Sequence, residues 1–289
     1  KKENFIKKYM FKNIEKKINA DLKNYCTFKI GGRGTILFPK NQFEVKRIVN
    51  DCKKSHLDFF ILGNGSNVLF PDDDFKKIII DLRKLNIIKI TKQRTVIAEA
   101  GVRLFAFNRF LEQNGFAGFE WSYGIPATIG GLTYMNGGAF GEEVSNYIKK
   151  VKVLKNGKIS WINRKKIDFS YRKSNILGII LAVEFKFKNA DSKIIEKQQK
   201  EFLEIRKKTQ PYDKFSAGSV FKRIDDKIPA IMIDKAGLKG VKIGGAEIST
   251  KHAGFIVNNG DATSKDVKDL IELIRKKCGN FECEIIILE

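Results

Sequence analysis

The longest uninterrupted apolar run in this chain is eight residues, Ile176 to Val183 with one glycine inside, so its buried elements must be short. A helix crossing a bilayer needs ~20 apolar residues, which this run does not approach. Between such runs the apolar period changes repeatedly. Val45, Ile48, Val49 and Cys52 fall at i, i+3, i+4 and i+7, which predicts an amphipathic helix. DFFILG (58–63), KIIIDL (77–82) and RTVIAEA (94–100) read as strands. Leu104, Phe107 and Leu111 predict a helix stopped by Asn114-Gly115, and residues 149–162 predict a hairpin turning at Asn156-Gly157. IILAVEFKF (179–187) is a further strand. A polar, lysine-rich helical stripe follows from Asp191 to Lys208. Ser264 to Cys278 forms a last helix, with Val267, Leu270, Ile271, Ile274 and Cys278 on one face and Thr263 with Asp266 as a capping pair. Strands and helices alternate without an internal repeat, so the pattern is that of an α+β or α/β enzyme. The composition shift near Asn189–Asp191 divides the 289 residues into 1–190 and 191–289.

The formal charge of +22 raises the question of nucleic acid, because lysine and arginine that neutralise phosphates drive nonspecific binding. Arginine, the residue suited to bidentate phosphate and base recognition, accounts for only 11 of the 55 basic residues. Residues 99–148 hold the densest glycine motifs and no lysine at all. The excess therefore reads as a solvated lysine coat, and an arginine embedded in a motif stands out. Cys26, Cys52, Cys278 and Cys283 form no CxxC, and with only His56 and His252 available no metal site is expected. The amino-terminal KKENFIKKYM has lysines but no apolar run behind them, so it does not read as a secretory signal, and the expected compartment is the cytoplasm.

Three glycine clusters carry the remaining information: IGGRG (30–34), LGNGSNVLF (62–70) and GIPATIGGLTYMNGGAFGEE (124–143). Glycine lets backbone approach a ligand closely and lets successive N–H groups converge on a phosphate oxygen. Any one cluster is satisfied by a tight turn; three together point to a large phosphate-bearing cofactor. Gly63-Asn64-Gly65 lacks the third glycine of GxGxxG, and no GxxxxGK[ST] occurs, so the standard nucleotide loops are excluded. Ser219 in SAGSVFKR sits in no GxSxG and has little choice of base, so it reads as a hydrogen-bond donor rather than a hydrolase nucleophile.

The ordered set TFKIGG (27–32), LGNGSNVL (62–69), GIPATIGGLTYMNGGAFG (124–141), YRKS (171–174), SAGSVFK (216–222), AGLKGVKIGGAEISTKHAGFIVN (236–258) and CEI (283–285) resembles the UDP-N-acetylenolpyruvoylglucosamine reductase family, in its short form. The resemblance implies an α+β chain with a PCMH-type, vanillyl-alcohol-oxidase-like FAD-binding domain (1–190) and a smaller α/β substrate-binding domain (191–289). It implies FAD as cofactor, NADPH as reductant and the UDP-linked enolpyruvyl sugar as substrate; separately, the charge distribution and the short apolar runs lead us to expect no nucleic acid or membrane partner, and a monomer is expected. Carried over residue by residue, Ser219 is the proton donor, Arg172 binds the substrate carboxylate and stabilises the enolate, and Glu284 is the carboxyl-terminal glutamate. In a strand, Glu284 would share a face with Ile286 and with its competitor Glu282, and partial burial would raise its pKa. Gly63, Asn64, Gly65, Ser66 and Asn67 form the pyrophosphate loop; Pro126, Thr128, Gly130 and Gly131 form a second loop, with Asn136, Ala139 and Gly141 close behind. Tyr171, Lys222 and His252 are assigned to the substrate or NADPH side.

The chain departs from the family pattern at Ala127, a glycine position whose alanine would cost ~1 kcal/mol if φ is positive there, and at Phe140, Arg223 and Ile286. The alternatives are another FAD oxidoreductase of the same fold, a degenerate FAD binder, and a basic nucleic-acid-binding protein.

Overall fold

A computed structural model of the protein describes residues 11–224 and 227–289; the segment read as lacking a secretory signal lies outside the described residues. Among the described residues are six α-helices: α1 (Gln42–Lys54), α2 (Leu104–Gln113), α3 (Ile129–Tyr134), α4 (Ser192–Thr209), α5 (Pro229–Lys235) and α6 (Ser264–Cys278). Helix α1 buries the expected Val45, Ile48, Val49 and Cys52, and Asn41 Oδ1 caps it by accepting from the N–H groups of Phe43 and Glu44. Helix α2 stops at Asn114, and Gly115 follows in the left-handed region at φ +68°. Helix α6 carries the predicted capping box between Thr263 and Asp266, and burial holds Val267, Leu270, Ile271 and Ile274 inside.

The described residues form two compact units, one comprising residues 11–18, 35–64 and 76–203, the other residues 19–34, 65–75, 204–224 and 227–289. This differs from the single division expected at 190/191. The second unit recruits two short pieces from the amino-terminal half, which no composition shift marks, and the division on the carboxyl-terminal side falls inside α4.

The first unit contains a five-stranded antiparallel sheet in the order Lys158–Asn163, Ile148–Lys155, Ile179–Phe185, Val96–Glu99, Ile88–Ile90. The first two strands form the expected hairpin, with Asn156 and Gly157 at φ +48° and +73°, the signs a type I′ turn requires. Ile179–Phe185 is paired on both sides and buried along its whole length, including Glu184. Burial alone would raise that carboxyl's pKa, but hydrogen bonds from Lys150, Thr95 and Lys149 outweigh it and hold the group below its usual range. The lysine-free stretch folds into the interior: Phe107, Phe119 and Trp121 pack with Phe185, with ring centroids 5.1 Å apart for Phe119–Trp121 and 5.2 Å for Phe107–Phe185. Helix α1 lies in this unit with a parallel pairing of residues 59–62 with residues 78–81.

In the second unit an antiparallel sheet of Lys242–Ile243, Ala246–Ile248 and Ile256–Asn258 accompanies α5 and α6. The carboxyl-terminal segment enters a parallel pairing, Ile286–Ile287 with Val68–Leu69, within the second glycine cluster (62–70).

Candidate functional site

In the first unit two loops meet through the absence of side chains. A Cβ on Gly63 would stand 2.5 Å from Thr128 Oγ1, so only glycine permits that approach. Asn64 Nδ2 donates to the Pro126 carbonyl at 2.7 Å, fixing the loops together. Thr128 is buried and caps α3, its Oγ1 accepting from the Gly131 N–H at 3.4 Å. Gly130 lies against Ala100, while Gly131 is exposed and its missing Cβ would meet only Thr128 Oγ1, at 3.5 Å. Ala127 is not in the left-handed region, so the penalty considered for alanine there does not arise; its carbonyl accepts from the Leu104 N–H at 2.9 Å.

Arg172 sits at the tip of a short hairpin, Phe169–Ser170 paired with Lys173–Ser174, at φ +54°. Its Nη2 donates to the Gly138 carbonyl at 2.8 Å, and its guanidinium lies over the exposed Tyr171 ring, 4.8 Å from the centroid. Asn136 is buried, with Nδ2 donating to the Ser170 carbonyl at 2.9 Å and Oδ1 accepting from the Ser145 N–H at 3.4 Å. Beyond it Ala139 pairs with Glu142, and Gly141 turns the chain with open space on its side-chain side.

In the second unit Gly65 has φ +66°, and a Cβ there would stand 2.2 Å from the Tyr25 carbonyl oxygen. Ser66 is half-buried, and its hydroxyl has no hydrogen-bond partner among the described residues. Asn67 is built into the carboxyl terminus: Nδ2 donates to the Glu284 carbonyl at 3.0 Å, and its own carbonyl accepts from the Ile286 N–H at 2.9 Å. The Glu284 N–H donates to the Val220 carbonyl at 2.7 Å, so Glu284 is gripped between the glycine loop and the residue after Ser219. Glu284 is half-buried and stands on a bend before the Ile286–Ile287 strand, a correction to the strand expected there. The strand breaks because the chain pairs with Phe221 at Cys283 and changes partner to Val68 at Ile286.

Ser219 bridges to Phe255, the Val220 N–H donates to the Gly254 carbonyl at 2.9 Å, and the Ser219 hydroxyl has no hydrogen-bond partner among the described residues. Lys222, the cation expected beside Ser219, pairs at 2.5 Å with the exposed Glu282, the carboxylate that competes with Glu284 for the assignment. His252 serves its own turn, with Nδ1 accepting from the Gly254 N–H at 3.1 Å; burial lowers its pKa and keeps the imidazole neutral at pH 7.

Two residues of this unit escaped the sequence reading. Thr27 Oγ1 donates to the Ser216 carbonyl at 2.7 Å while its N–H donates to the Gly65 carbonyl at 3.1 Å, tying the serine loop to the glycine loop. Buried Asn258 donates through Nδ2 to Phe28 O at 3.0 Å and accepts at Oδ1 from the N–H groups of Gly260 and Ala262. Both stand inside quoted motifs, TFKIGG and AGFIVN, where a hydrogen-bonding side chain beside glycines was the available signal.

Residues 35–163 match the family described as FAD binding domain, and residues 210–281 match the UDP-N-acetylenolpyruvoylglucosamine reductase C-terminal domain. Among curated proteins, the UDP-N-acetylenolpyruvoylglucosamine reductase of Clostridium novyi (strain NT) is 39% identical over 267 residues, covering 91% of this chain and 87% of that protein. The protein of the same description from Thermotoga petrophila is 40% identical over 261 residues, covering 89% and 91%. Among solved structures, UDP-N-acetylenolpyruvylglucosamine reductase from Thermus caldophilus superposes with a TM-score of 0.84 at 29% identity, covering 96% of this chain and 99% of that one.

Proposed function

The chain belongs to the UDP-N-acetylenolpyruvoylglucosamine reductase family, and from that premise we propose that it reduces UDP-N-acetylglucosamine enolpyruvate to UDP-N-acetylmuramate in peptidoglycan synthesis, with FAD bound and NADPH as reductant. The observation that carries this reading is similarity along nearly the whole chain, 91% of it in one relative at 39% identity. The glycine loops fit such a cofactor. Gly131 and Gly141 leave backbone bare in the first unit, and in the second Ser66 holds a half-buried, unengaged hydroxyl. Gly63, Asn64, Gly65, Ser66 and Asn67 would hold the pyrophosphate, with Pro126, Thr128, Gly130, Gly131, Ala139 and Gly141 forming the second loop. Bound FAD supplies the hydride that the terminal methylene carbon of the enolpyruvyl group receives.

The protein's own residues handle the charge and the proton. Arg172 brings a permanent cation to the substrate carboxylate, where negative charge grows as the double bond is reduced. The Gly138 carbonyl and the Tyr171 ring restrain that guanidinium before substrate arrives, so little reorganisation is needed. Ser219 donates its hydroxyl proton to the carboxylate-bearing carbon. A serine is a weak acid, so its efficiency rests on placement, and the bridge to Phe255 supplies that. Glu284, gripped through Asn67 and Val220, hydrogen-bonds the enol or returns the proton to the serine. Tyr171 and His252 act on the substrate side through position. Among the described residues no helix is long and apolar enough to cross a membrane, and the four cysteines are free thiols.

The test is anaerobic half-reaction kinetics on the flavin-loaded protein. Ser219→Ala should leave flavin reduction by NADPH intact and slow reoxidation by the enolpyruvyl sugar, and Arg172→Lys should do likewise because an ammonium lacks the bidentate fork. Equal losses in both half-reactions would remove these residues from the proposed roles. A protein that remains colourless after reconstitution with FAD would remove the cofactor.

A further inference from the structure

The hairpin that carries Arg172 consists of two residue pairs, Phe169 with Ser174 and Ser170 with Lys173, and belongs to no larger sheet. Such a ribbon does not hold its own shape in water. Its tip is also unfavourable, because Arg172 is at φ +54°, a region a long-chain L residue seldom occupies. Asp168 and Asn175 close the ribbon's base, the Asn175 N–H donating to the Asp168 carbonyl at 3.1 Å and the Asp168 N–H to Asn175 Oδ1 at 3.0 Å, so the tip that carries the arginine is the part that depends on a grip from outside.

The grip comes from the segment that ends α3. Ser174 Oγ donates to the Tyr134 carbonyl at 2.8 Å, Asn136 Nδ2 to the Ser170 carbonyl at 2.9 Å, and Arg172 Nη2 to the Gly138 carbonyl at 2.8 Å. Only the middle bond comes from a fully buried side chain; the last belongs to the group that must be positioned. The other end of the Asn136 amide accepts from the Ser145 N–H, and the Ser145 carbonyl takes Arg164 Nε at 3.2 Å. The Arg164 guanidinium in turn covers the Phe169 ring, 4.7 Å from its centroid, so the first strand of the ribbon is anchored on both sides. The left-handed turn at Asn136, φ +43°, also carries the chain from α3 to Gly138, whose carbonyl receives Arg172.

We propose that Asn136 is a positioning residue for Arg172: its buried amide fastens the Arg172 ribbon, and its left-handed turn supports the carbonyl that holds the guanidinium. The inference rests on the reading of Arg172 given above. It departs from a direct cofactor contact for Asn136, because both ends of the amide are closed on backbone groups of the protein itself.

The test compares Asn136→Gly and Asn136→Asp with an Arg172→Ala control, all flavin-loaded. Glycine keeps the left-handed turn and deletes the amide; aspartate keeps the acceptor toward Ser145 and loses the donor toward Ser170. Bound flavin per chain and the rate of flavin reduction by NADPH should stay within about twofold of the parent in both variants. Reoxidation by the enolpyruvyl sugar should slow roughly 10- to 100-fold, the scale of a misplaced reacting group. Amide hydrogen exchange at residues 169–174 should accelerate. If Arg172→Ala slows reoxidation while both Asn136 variants match the parent, the positioning role is overturned and the Arg172 reading stands. If Arg172→Ala reoxidises normally, both fall. Flavin loss in proportion to activity in the Asn136 variants would make the residue a cofactor contact and overturn the inference.

Discussion

Replacing Gly63 by alanine isolates the contact that joins two of the glycine loops. The new methyl would stand 2.5 Å from Thr128 Oγ1, with the next atoms, Thr128 Cβ and Cγ2, at 3.7 and 3.8 Å. Gly63 is outside the left-handed region, so alanine's own backbone is permitted and the collision is the whole effect. The hydroxyl cannot yield freely, because Thr128 is buried and its Oγ1 caps α3. Rotating it away loses an N-cap, about 1 kcal/mol. It also leaves a buried hydroxyl without a partner, about 1–3 kcal/mol. Gly63→Ala should therefore destabilise by ~2–4 kcal/mol. Thr128→Ala alone should cost about 1 kcal/mol, the lost cap. On that background the nearest remaining atom for the new methyl is the residue-128 Cβ, at an ordinary 3.7 Å, so adding Gly63→Ala should cost little. A denaturant-unfolding cycle over the four proteins should give a coupling of roughly 2 kcal/mol. Equal costs of Gly63→Ala on both backgrounds would refute the argument from close approach.

Glu284→Gln should slow flavin reoxidation by the enolpyruvyl sugar about tenfold or more. Glu282→Gln, which releases only the exposed partner of Lys222, should change that rate less than twofold and unfolding free energy by under about 0.5 kcal/mol; stopped-flow traces and denaturant midpoints decide the assignment. Burial lowers the pKa of His252, so the unfolded chain takes up its proton first as pH falls through the ordinary histidine value of 6.5. Its contribution is therefore retained above that value and lost progressively below it, and His252→Gln should flatten the melting temperature between pH 7 and 5. Burial pushes the Cys52 thiol up to about 12, so it should be unmodified by iodoacetamide at pH 8 in the native state and react only on unfolding, as mass spectrometry would read.

The parts of this fold that were legible in the sequence are those whose causes lie within about a dozen residues. The face of α1, the stop of α2 at Asn114-Gly115, the Asn156-Gly157 hairpin and the Thr263–Asp266 capping box all follow from period, turn chemistry and capping. The glycine clusters were legible for a related reason: an absent side chain is visible in the sequence even when the neighbour it admits is not. Their order along the chain sufficed to indicate the family.

What only the tertiary structure decided is which backbone groups remained for side chains to bind. Glu284 stands on a bend because residues 220 and 67 claim its N–H and carbonyl, the latter bond closing 217 positions of chain. Lys222 belongs to Glu282, and the amide of Asn136 turned inward on the Arg172 ribbon. Two short segments before residue 76 joined the carboxyl-terminal unit without any marker in their composition. Periodicity records the face a residue presents, whereas a long-range hydrogen bond depends on which carbonyl or N–H its secondary structure left unpaired, and that is known only once the elements have packed.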